Sequence, residues 1–210
     1  MCTEKPDLRF FNSLVSRERK TQTMNNEWHR TFRNRMHDFE AQRTAPMGTV
    51  PVSIKVRVTS GCFHREHSPR AYMLIDKQLS QLVMHDELAF EEHESGPELL
   101  IFVAAITAGI SLAKSIIDLI VAIIKARSEG IKKGDHPASP LELIVRRTYK
   151  DQEFREEMVL RIGHEEAIDR EIIEEHLKQS ISTLLKNEHK ATTEKSLKKS
   201  QTRRRRMPSR

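Results

Sequence analysis

The sequence predicts a small α+β domain in which a sheet packs against a long apolar helix. Three observations carry this. Residues 52–58 alternate strictly between apolar and polar. Leu99 to Ala126, LLIFVAAITAGISLAKSIIDLIVAIIKA, is the only long apolar stretch. Ala167 to Leu185 carries apolar residues three and four apart. The predicted order is β-α-β-α-β-β-α. It divides the chain into a polar N-terminal extension at 1–47, a domain at 48–186 and a basic tail at 187–210. The polar termini are expected to be disordered.

Within the N-terminal extension, Trp28, Phe32, Met36 and Phe39 form one apolar face of a short helix. A helix of this length is barely stable alone. Two outcomes are expected of it: loose docking, or binding in a partner's groove through Trp28 and Phe32.

VSIKVRV then sets Val52, Ile54, Val56 and Val58 on one face and Ser53, Lys55 and Arg57 on the other, as in a half-buried strand. Thr59-Ser60-Gly61 ends it. Ala71 to Met84 reads as a helix with Met73, Leu74, Leu79 and Leu82 on its apolar face, and ELAFEE, residues 87–92, as a short strand.

The apolar stretch has no Pro and one Gly, Gly109, and is dominated by Leu, Ala and Ile. It predicts a helix over 97–129, with Ser95 as N-cap, Pro97 and Glu98 in the first turn, and Lys125, Arg127 and Gly130 at the end. Ser128 to Pro140 is a loop by its Gly and Pro content. LELIVRRTY (Leu141, Leu143 and Val145 on one face) and FREEMVLRI (Met158, Leu160 and Ile162) form a hairpin with its tip at Lys150-Asp151-Gln152. The last helix buries Ile168, Ile172, Ile173, Leu177, Ile181 and Leu184.

Two burial sites compete for the apolar helix. A membrane span needs about 20 mostly apolar residues. Lys114 and Asp118 interrupt the run, and a charge at mid-bilayer costs about 2.5–3.5 kcal/mol. Thr107, Ser111, Lys114, Asp118 and Lys125 would fall on one narrow polar stripe of the helix. The preferred reading is therefore a helix buried in protein, its polar edge (Thr107, Ser111, Lys114, Asp118) meeting a protein partner. The alternative is a single-pass membrane protein with its span at 99–126 and a cytosolic C-terminal region.

The chain has 210 residues, 31% of them charged, and two cysteines, Cys2 and Cys62, far apart in sequence. No disulfide framework is implied, and a cytoplasmic location is expected. Ten Lys or Arg and two Glu between Lys186 and Arg210 give the tail +8, so of the overall +6 the first 185 residues carry −2. Arg203, Arg204, Arg205 and Arg206 are expected to bind polyanions, either nucleic acid without sequence preference or anionic lipid.

Little else points to chemistry. Cys62-Phe63-His64-Arg65-Glu66-His67 gathers metal-ligand types, but its spacing misses the usual zinc templates and reads as an exposed loop. His164-Glu165-Glu166 suits a polar helix start, and Glu174-Glu175-His176 a solvated face. No phosphate-binding Gly loop or nucleophile elbow is present. No catalytic residue, metal site or cofactor is expected.

VSIKVRVTS, the apolar segment ending in IIKARSE, the hairpin LELIVRRTYKDQEFREEMVLRI and the helix EIIEEHLKQSI together resemble the effector-associated constant component domains of bacterial conflict and signalling systems. The resemblance implies a non-enzymatic adaptor that contacts a protein partner, an effector or a second copy. It carries over no catalytic residues.

Overall fold

The computed structural model of the chain describes residues 27–82, 88–106, 109–135, 139–149, 153–163, 166 and 168–185, with backbone alone at 105, 106 and 109–111. The fold is mixed α+β. Helix α1 spans residues 27–42. After it come β1 (Thr49–Val58), α2 (Pro69–Ser80), β2 (Leu88–Glu91), β3 (Glu98–Ile106), β4 (Gly109–Ser111), α3 (Lys114–Lys132), β5 (Leu141–Thr148) and β6 (Phe154–Ile162). Helix α4 spans residues 170–185. The sheet runs β2-β3-β1-β5-β6, with β4 also paired to β3, and every pairing is antiparallel.

The central apolar run is not one helix. Its first half is β3, and only its second half, from Lys114, is helical. Leu99, Ile101 and Val103 face the helical side of the sheet, while Leu100 packs on the opposite side with Phe32, Met36 and Phe39 of α1. A strand covered on both faces has no polar positions to reveal its period, so it reads as a continuous apolar run. The polar stripe drawn from Thr107 to Lys125 is therefore not one helical edge. Among the described residues, no helix is long and apolar enough to cross a membrane, so a span at 99–126 finds no support.

Three layers result. Helices α2, α3 and α4 cover one face of the sheet, around Val52, Ile54 and Val56 of β1, Ile117, Ile120 and Ile124 of α3, and Ile173, Leu177 and Ile181 of α4. Helix α1 covers the other face. The division drawn at residue 47 therefore separates elements that share a core.

Two apolar faces differ from expectation. In α2 the buried side chains are Ala71, Tyr72 and Ile75, whereas Met73 and Leu74 are exposed. Gly130 explains the use of Ala71: a Cβ there would lie 3.0 Å from the Ala71 Cβ, so the two helices approach at small residues. Gly130 thus lies inside α3, and Gly134 (φ +98°) follows the helix end. In β6 a bulge opposite Leu143 and Ile144 shifts the alternation. Leu160 and Ile162 stay with the helical core, while Met158 is paired to Ile144 and exposed. In α4, Ile173 is buried as expected, but Ile172 is exposed.

Candidate functional site

The face of β1 that the sequence assigns to solvent is closed. Ser53 and Lys55 are buried there with Glu98 of β3. Register makes the cluster. Glu98 stands opposite Lys55 on one side and opposite Glu91 of β2 on the other, while Ser53 faces Arg146 of β5. Two carboxylates directly across a ladder repel each other. Arg35, reaching down from α1, pairs with Glu91 and lies 3.1 Å from Glu98. His93 Nε2 lies 3.3 Å from Glu91 and 3.1 Å from Glu98. Ser53 donates to Glu98, Lys55 Nζ is 3.8 Å from it, and Arg146 is 3.6 Å from it and 2.7 Å from Glu156.

The protonation of this cluster follows from its geometry. Burial pushes Glu98 up, but His93, Arg35, Lys55 and Ser53 outweigh it and hold the carboxyl well below its usual range. Burial lowers Lys55 to about 8, against the pull of Glu98. Glu91 and then Glu98 raise His93, against its burial. Glu91, His93 and Glu98 could converge on a metal ion, but Arg35 and Lys55 already supply the positive charge. The arrangement is suited to fixing α1 on the sheet.

Around α1 a cleft of about 550 Å³ opens between its flank and the end of β5. Arg30, Arg33, Asn34, His37 and Glu40 line it from the helix, with Thr148 and Tyr149 opposite. Tyr149 donates to the Leu184 carbonyl at 2.6 Å, which ties the cleft wall to α4. Arg147 and Arg155 lie over its ring at 4.9 and 5.1 Å. Cationic groups therefore surround a fixed aromatic wall.

The residues expected to meet a partner are scattered. Phe32 is buried in the α1–sheet core, and Trp28, 37% exposed, packs on Phe154 with Arg146 over its ring. The helix docks on its own sheet, because that sheet offers Leu100, Phe102 and Phe154 to receive it. Lys114 opens α3 and is exposed, and Asp118 accepts from Arg170 of α4 at 2.8 Å. Ser111 belongs to β4. Thr107, His164, Glu165, the hairpin tip at 150–152 and Arg203–Arg206 with the rest of the tail lie outside the described residues. So do residues 1–26. Glu166 accepts from the Gly163 amide, and Glu174 pairs with Arg170 and Lys178 on the outer face of α4.

The basic stripe Arg30-Arg33-His37 has helical spacing in the sequence, beside the apolar face that draws attention first. Its partner Tyr149 is too distant in the chain for any local pattern to connect them. The chain matches no protein-family model, no curated protein and no solved structure.

Proposed function

We propose that this chain is a non-enzymatic protein-interaction module, an adaptor that holds an acidic segment of a partner protein in the cleft between α1 and β5. The cleft's charge carries the reading: Arg30 and Arg33 line it against one carboxylate, Glu40. Tyr149, buried beneath Arg147 and Arg155 and tied to α4, holds the far wall of the cleft in place. An adaptor of this kind is also what the resemblance to effector-associated domains implies, with a bacterial conflict or signalling system as its setting.

Anisotropy titrations of the full chain test this, with a fluorescein-labelled glutamate-rich peptide and with labelled single-stranded DNA of equal length. The expected result is peptide binding that weakens with salt and falls about tenfold or more in Arg30→Glu and Arg33→Glu, since like charges now meet. Peptide binding that is unchanged in both variants belongs to the tail and overturns the proposal. A preference for DNA that both variants abolish overturns it too, by making the cleft a nucleic-acid site.

A further inference from the structure

We infer that the loop between β1 and α2 is a binding site for a divalent transition-metal ion of the zinc type, with Cys62, His64 and His67 as ligands and Glu94 in the fourth position. The donor atoms of Cys62, His64 and His67 all lie within 4.8 Å of one another. Glu94 brings a carboxylate oxygen to 3.9 Å from the Cys62 sulfur. Small side-chain rotations close the Cys62, His64 and His67 donors onto one ion, and Glu94 reaches it from beside the sulfur. The site is independent of the cleft beside α1.

The loop is built to present these groups. Phe63 is fully buried, so Cys62 and His64 on either side of it are turned outward together. Its amide donates to the Glu94 carbonyl at 2.8 Å, and its carbonyl accepts from the Tyr72 hydroxyl at 3.1 Å. The chain then makes one helical turn, with the amides of His67 and Ser68 donating to the His64 carbonyl at 3.1 and 2.9 Å. That turn sets His67 over His64, ring centres 4.5 Å apart. Arg65, one of the two residues between, points away to Asp76 and Glu92. The backbone around the donors is thus fixed before any ion arrives.

The donor chemistry selects the ion. One thiolate, two imidazoles and a carboxylate suit zinc and its neighbours, and exclude magnesium or calcium, which favour oxygen. On binding, the Cys62 thiol loses its proton to solvent as the sulfur–metal bond forms, and the imidazoles bind as neutral rings. The spacing Cys-x-His-x-x-His defeats a search for zinc templates because the fourth donor comes from the β2–β3 turn, 32 residues from Cys62.

Cobalt reports on such a site directly. The reduced full chain is titrated with Co²⁺ and then with Zn²⁺, with absorption as the readout. The expected result is a thiolate-to-cobalt charge-transfer band with the visible bands of tetrahedral cobalt, both lost as zinc displaces it. Cys62→Ser removes the charge-transfer band, and Cys2→Ser leaves it. His67→Gln, a change at an exposed side chain, weakens cobalt binding by roughly tenfold or more while the far-ultraviolet circular dichroism stays the same. No charge-transfer band in the unmodified chain overturns the inference. So does a band that survives Cys62→Ser or that His67→Gln leaves at full affinity.

Discussion

Arg35 and Glu98 are 63 residues apart in the chain and 3.1 Å apart in the fold. This contact joins the α1 layer to the sheet at the one fully buried carboxylate of the ionic cluster. Glu98→Ala leaves Arg35, Lys55 and Arg146 facing one another around an empty centre. Removing one member of a buried ion pair costs about 3–5 kcal/mol. Urea unfolding of the variant is expected to show a loss of that order. In a double-mutant cycle with Arg35→Met, the two losses should be clearly less than additive.

The cluster also sets a pH dependence. His93 is raised above its ordinary 6.5, so its contribution to stability is complete below that value and is lost as pH climbs through the raised one. Glu98 is held below its ordinary 4.5, so its contribution is present above 4.5 and drains away in acid. Lys55 runs the other way. With its value lowered from 10.5 to about 8, the folded state sheds that proton first, and stability regains ground between the two. Urea midpoints measured across pH are expected to decline above 6.5 in the unmodified chain. His93→Gln should remove that decline and leave the acid limb in place.

Docking of α1 depends on Phe32, which meets Phe154 at 5.3 Å between ring centres and is buried. Phe32→Ala should cost about 3–5 kcal/mol. It should also speed amide exchange in α1 ahead of α3, and expose Lys55 to acylation by an amine-reactive ester. Equal exchange in both helices would mean that α1 is not a separable layer.

Asp135 caps α2 from a distance. Its carboxylate accepts from the Ala71 amide at 2.9 Å and from the Arg70 amide at 3.4 Å. Asp135→Ala should cost about 1 kcal/mol. Gly130→Ala should cost more, because the added Cβ would lie 2.3 Å from the same carboxylate and 3.0 Å from the Ala71 Cβ. Thermal unfolding of the two variants is expected to rank them in that order.

How legible each part is in the sequence depends on what covers it. VSIKVRV and the last helix show their periods because each mixes apolar with polar positions. Leu99–Val103 does not, since the strand has protein on both sides and a helix would explain the same residues equally well. The alternation of Ser53, Lys55 and Arg57 against valines and isoleucine is plain in the sequence, but its meaning is not. A polar face reads as wet, and only the docking of α1 shows Ser53 and Lys55 to be dry. The bulge in β6 is invisible for a related reason: one extra residue shifts the phase, and FREEMVLRI has apolar side chains in both phases. Local spacing picks out Cys62, His64 and His67 but has no access to Glu94. The same limit hides that Arg33 and Tyr149 line one cleft.

The buried charges also discipline how the strands align. A slip of β3 by one residue against β1 would carry Glu98 out of its ring of cations and into the layer of valines and isoleucines beneath α2 and α3. Leu99 would move the other way, among Arg35, Lys55 and Arg146. An apolar ladder alone would tolerate such a slip, because β3 is apolar on both sides. The carboxylate at its start acts as a proofreading mark: it makes the near-miss alignments expensive, so that a strand without an alternating pattern still has one place to stop.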